Sequence, residues 1–255
     1  MKISIPKRYQ LLVSLGLVFL VLSFITRIAL YIWSIENIDF SIISLVRILF
    51  TGLFFDIGTV SFFLAPYALY LLLLPNRLNG TKLDKIITKI AFFIGLLTFI
   101  FTTFAEFTFW EEFSSRFNFI AVDYLVYTNE VLGNINESYP IPILLSIVFS
   151  VVFLIFFIIK KRNTFANTFN NFATTREKII TASATLFIAL FFFLFITNKN
   201  AEWSENRYEN ELSKTGIYSF FAAFRNNELS YTDFYLTQDT KVSIATLQKN
   251  VVQET

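Results

Sequence analysis

Residues Leu11–Ile32 read LLVSLGLVFLVLSFITRIALYI, an apolar stretch broken by one charge, Arg27. A helix needs roughly 17–25 such residues to cross a bilayer. Four more runs follow: Ile48–Leu74, Ile86–Phe109, Ile141–Ile159 and Ile179–Ile196. A soluble domain of 255 residues has no use for five of them. The expectation is an all-α membrane protein with five transmembrane helices and two interfacial amphipathic helices on the outer side.

Composition points the same way. The chain is 55% hydrophobic with 34 Phe, and charged residues make up 16%, against about 25% in soluble domains. A net charge of +2 gives no footprint for nucleic acid, and none is expected as a partner. Neither Cys nor His occurs, which excludes disulfides, thiolate chemistry, histidine–metal sites and histidine-based triads. The basic start at Lys2, Lys7 and Arg8 followed by a long run without a small-residue cleavage site reads as an uncleaved signal anchor.

Charge sets the topology. With the N-terminus in the cytoplasm, the inner segments are 1–10, 75–89 and 160–178. They hold Lys2, Lys7, Arg8, Arg77, Lys82, Lys85, Lys89, Lys160, Lys161, Arg162, Arg176 and Lys178, against only Asp84 and Glu177. The loop at 110–140 has Arg116 alone, against Glu111, Glu112, Asp123, Glu130 and Glu137. The positive-inside bias holds at each crossing and places the C-terminus outside the cell.

Two outer segments carry helical stripes. Phe117, Ile120, Tyr124, Val131 and Ile135 share one face, opposite Asn118, Asp123, Asn129 and Glu130. Ile217, Phe220, Phe221 and Phe224 share another, within an expected helix at 213–228 closed by Arg225 to Glu228. Such helices lie in the membrane interface or pack on the ends of the bundle. A weaker stripe, Ile244, Leu247 and Val251, marks a short helix at 240–252.

Ionisable residues within spans need partners and mark candidate sites. Arg27 lies roughly 24 Å along the first run. Asp56 lies about two turns into the second, and Glu106 sits near the end of the third. Arg47 and Arg116 flank the same side. Three readings stand: Arg27 or Arg47 pairs with Asp56 and pins two helices, the arginines snorkel to the interface, or Arg27, Arg47, Asp56, Glu106 and Arg116 form a pocket for an anionic lipid headgroup. Gly58 and Pro66 inside the long second run predict a kink or tilt.

Residues Arg116–Tyr127, RFNFIAVDYLVY, continue as TNEVLGNINESYP, and Asn210–Tyr235 reads NELSKTGIYSFFAAFRNNELSYTDFY. With five spans, these segments resemble the amino-terminal membrane half of the lipoteichoic-acid-synthase-like family. Its members are bacterial phosphoglycerol transferases of the sulfatase and alkaline-phosphatase superfamily. The resemblance implies an extracytoplasmic catalytic domain in which a threonine beside a divalent metal, such as manganese or magnesium, takes a headgroup from a membrane phospholipid. No stretch after Ala201 carries that pattern, so no catalytic, cofactor or metal residue is expected here, and the chain alone is expected to be inactive. Residues 1–197 are then a transmembrane domain. Residues 198–255 are an extracytoplasmic linker toward the absent catalytic domain, with Ile217, Phe220, Phe221 and Phe224 as its interfacial anchor. The expected location is a bacterial cytoplasmic membrane. The alternatives are a stand-alone scaffold or lipid-binding protein, the remnant of a truncated gene, and, less well matched for want of internal repeats, a transporter.

Overall fold

The computed structural model describes residues 6–38, 41–126, 133, 135 and 137–225. Every regular element among them is helical. Five helices are long and apolar enough to cross a membrane: α1 (Gln10–Trp33), α2 (Ile42–Leu73), α3 (Lys82–Phe113), α5 (Ile141–Lys161) and α7 (Thr175–Phe195). Shorter helices among the described residues include α4 (Phe119–Val126), α6 (Thr164–Phe169), α8 (Arg207–Ser213) and α9 (Gly216–Arg225).

Local chemistry explains where the helices begin and end. Thr174 and Glu177 close a capping box on α7, with Thr174 N donating to Glu177 Oε2 at 2.7 Å. Thr81 caps α3, and Ser114, left-handed at φ 48°, stops it. Helix α2 runs unbroken through Pro66 from Ile42 to Leu73. At 32 residues, α2 and α3 each span about 48 Å, well beyond a hydrocarbon core of about 30 Å. Their terminal turns therefore belong outside any bilayer core.

Helix α1 packs against α2 and α3; α7 lies on α2, and α5 on α3. The seam is aromatic and aliphatic. Leu11, Leu15 and Phe19 of α1 meet Phe92, Leu96 and Phe99 of α3, and the Phe19 and Phe99 rings are 4.7 Å apart. Large side chains such as Phe153, Phe157, Phe187 and Phe195 are exposed on the outer helices, as lipid-facing positions require. Between spans in lipid, apolar burial gives little net drive, so close packing and interhelical polar contacts carry the specificity.

After the last span, the chain as far as Phe224, with α8 and nearly all of α9, belongs to the same compact unit as the five long helices, and α8 packs on α1 and α2. The parts of the first amphipathic stripe at Asn129, Glu130 and Val131, and everything from Asn226 on, including Glu228 and the helix expected at 240–252, lie outside the described residues.

Candidate functional site

Among the described residues, buried ion pairs gather at both ends of the bundle. At the end where α1 and α3 begin, Arg8 forks onto Asp84 at 2.8 and 2.9 Å. Its other terminal nitrogen donates to the Thr168 carbonyl at 3.1 Å. Asp84 also accepts from Tyr70 Oη at 2.9 Å and from the Gly80 amide at 2.7 Å. Both charges are buried. In the sequence both stand in charged flanks that report topology, and nothing there signals their pairing.

The opposite end is larger. Arg27 donates from Nη2 to both oxygens of Asp56 at 2.8 Å. Its Nη1 reaches the carbonyls of Leu212 at 2.9 Å and Lys214 at 3.1 Å. Asp56 Oδ1 also accepts from Ser23 Oγ at 2.6 Å and from the Thr215 hydroxyl. Asp56 lies roughly 21 Å along α2, whereas Arg27 lies roughly 9 Å before the end of α1. The first turns of α2 therefore project past α1, and α8 packs against them. Gly52 makes the close approach possible, because the Arg27 guanidinium occupies the space a Cβ would fill.

Glu106 and Arg116 form the second pair of this cluster, through Arg116 Nη1 and Glu106 Oε2. The Arg116 amide donates to Glu211 Oε2 at 2.9 Å. Glu106 Oε1 lies where a Cβ on Gly216 would be, against the first turn of α9, where a helix dipole favours a carboxylate. Burial holds the Arg116 guanidinium below its ordinary range, with Glu106 acting in the opposite direction; arginine keeps its proton at any physiological pH. Lys214 joins the edge, bonded to Glu202 at 3.0 Å and Glu211 at 2.8 Å.

Four of the five sequence candidates, Arg27, Asp56, Glu106 and Arg116, thus meet at one end. Arg47 does not. It is exposed, with its guanidinium 4.4 Å above the Trp203 ring. Asp56 sits opposite Arg27, one of its two candidate partners. Sequence reasoning missed Ser23, Thr215, Lys214 and Glu211, which are ordinary polar residues far apart in the chain.

The aromatic stripe of α9 divides. Ile217 is buried, Phe220 is half-buried and lies 6.3 Å from the Phe117 ring, and Phe221 and Phe224 are exposed. Tyr218, off the stripe, is also buried: its ring meets Phe55 at 5.2 Å and its hydroxyl donates to the Ile196 carbonyl. The first turn of the helix is buried; in the second half Ala222 still packs on the cluster of Phe55 and Phe192, while Phe221 and Phe224 face out. Around α8, Asn206 donates to the Asn37 carbonyl at 2.9 Å, and Trp203 Nε1 donates to Ser213 Oγ at 2.9 Å. Comparison with protein-family models, curated proteins and solved structures gives no match.

Proposed function

We propose that this chain is the membrane-anchoring half of a bacterial lipid-headgroup transferase of the phosphoglycerol type, set in the cytoplasmic membrane with its N-terminus inside. Its task is to hold an extracytoplasmic, sulfatase-like catalytic domain at a fixed height over the outer leaflet. The two segments that resemble the lipoteichoic-acid-synthase-like family support the chemistry. The observation that carries the anchoring role is the clamp on residues 212–216. Arg27 takes two carbonyls of this stretch, Asp56 takes the Thr215 hydroxyl, and Glu106 abuts Gly216. A swinging linker needs no buried charge, whereas a rigid mount does.

In this reading Phe221 and Phe224 dip into the interface, where amphipathic aromatic faces bind lipid. Their exposure favours one second reading, a scaffold whose aromatic face docks a partner.

Reading the gene in frame past codon 255 tests the proposal. The transferase reading expects a strand followed by a nucleophilic threonine, and metal-dependent diacylglycerol release from phosphatidylglycerol by the full product but not by residues 1–255. A stop codon with no such activity favours the scaffold. A cytoplasm-dependent reporter should work when fused after Arg162 and fail after Asn134 or Asn227. Activity at Asn134 would overturn the orientation.

A further inference from the structure

Arg116 uses only part of its guanidinium. Nη1 meets Glu106, while Nε and Nη2 are closed off from water and have no acceptor among the described residues. Arg8 and Arg27, equally buried, have no such orphaned nitrogen. Buried charged donors are normally satisfied, so two idle ones on a single side chain call for an occupant.

The pattern of the idle atoms specifies the occupant. The Nε–H and the neighbouring Nη2–H leave the planar group side by side. They match two oxygens of one carboxylate or phosphate, which a lone water cannot supply. Position narrows the choice. Arg116 follows the end of α3 by a short bend, and span ends lie at the level where a bilayer carries its phosphates. Charge narrows it again. With Lys214, Glu202 and Glu211 counted, the cluster holds three cations against four carboxylates, so a singly charged phosphodiester enters at less electrostatic cost than a doubly charged free phosphate.

We infer that the Nε–Nη2 edge of Arg116 is a receptor for two oxygens of a phosphate group, held beside Glu106 at the bend between α3 and α4. Both nitrogens are closed off in this conformation, so the guest enters as the segments around the bend part. The inference rests on the lipid-headgroup reading for the guest's identity; the free fork stands without it.

Native mass spectrometry of the full chain released from detergent, with added phosphatidylglycerol, tests it. The unaltered protein should retain one lipid. Arg116→Lys, which keeps the charge and loses the fork, should bind at least about tenfold more weakly, the loss expected for one charge-assisted bond. Arg162→Lys, at the other end of the bundle, should bind as the parent does. A soluble source is separated by thermal shifts with glycerol phosphate or inorganic phosphate at matched ionic strength. Stabilisation that depends on Arg116, without lipid retention, assigns the fork to a free phosphate. Equal behaviour of parent and Arg116→Lys in both assays overturns the proposal.

If Arg116→Lys does not fold, a phospholipid with a photoactivatable group next to its phosphate is used on the parent. Label concentrated on residues 106–117 supports the fork, and even labelling elsewhere overturns it. A cysteine pair at Asn37 and Asn206 separates this result from the anchoring role. If the pair cross-links while Arg116 proves irrelevant to phosphate, the fork fails and the mount survives. If phosphate binds but the pair does not cross-link, the mount fails and the fork survives.

Discussion

The two ends of the bundle solve the same problem differently. At one end Arg8 and Asp84 are paired, and their remaining contacts come from the Tyr70 hydroxyl, the Gly80 amide and the Thr168 carbonyl, all ahead of the last span. That cluster seals helix starts and ends together. At the other end the Arg27–Asp56 pair is incomplete without residues that follow the last span, and Arg116 keeps two donors idle. The first cluster ties spans and the short helix between two of them to one another, whereas the second also holds a segment that follows the last span.

The largest expected effect comes from breaking a pair. Asp56→Leu strands Arg27 and should cost about 3–5 kcal/mol, as should Arg8→Leu, which strands Asp84. Unfolding titrations in mixed detergent micelles measure both. Arg27→Leu with Asp56→Leu should recover part of the loss. The two ends should then part company: a nitroxide at Phe224 should gain mobility in Asp56→Leu and not in Arg8→Leu. Equal mobility in the two variants would dissolve the distinction between sealing and mounting.

Next is Gly216→Ala. The added methyl collides with the Glu106 carboxylate and should destabilise by about 1–3 kcal/mol, with the nitroxide again reporting release of α9. Thr215→Val removes one hydrogen bond to the Asp56 carboxylate and should cost about 1.5 kcal/mol. A neutral result would mean that Arg27 alone holds the strap.

The smallest effect concerns alkali. Burial pulls the Lys214 ammonium down, but Glu211 and Glu202 outweigh it and hold the group above its ordinary value. A folded value above the unfolded one, near 10.4, gives stability that is full below that pH. It is lost as pH rises through the folded value. Lys214→Met should therefore flatten the alkaline end of the stability curve; an unchanged alkaline limb would show that the ammonium is not held.

The long helices were legible because apolar length is a one-dimensional signal that bilayer thickness dictates. The Arg27–Asp56 pairing was half legible, since a charge within a span must find an opposite one, but depth along the chain could not choose between Arg27 and Arg47. The reason is visible in α2. It starts at Ile42, ahead of the apolar run at Ile48, so Arg47 rides on projecting turns beside Trp203. Arg8 and Asp84 were hidden because they sit in flanks whose many charges are mostly solvated. The strap was illegible for another reason: a threonine hydroxyl and two peptide carbonyls carry no sequence signal of their roles.

Thr215 follows Asp56 by 159 residues, and that separation has a consequence for biogenesis. At roughly 5–20 residues per second, the ribosome delivers the threonine about 8–30 s after the aspartate. Throughout that interval three further spans enter the membrane while Arg27 and Asp56 have only each other and Ser23. The α1–α2 hairpin therefore has to neutralise its own charges at insertion, and the last step of assembly is a latch closing from outside the lipid onto a pair formed at the start.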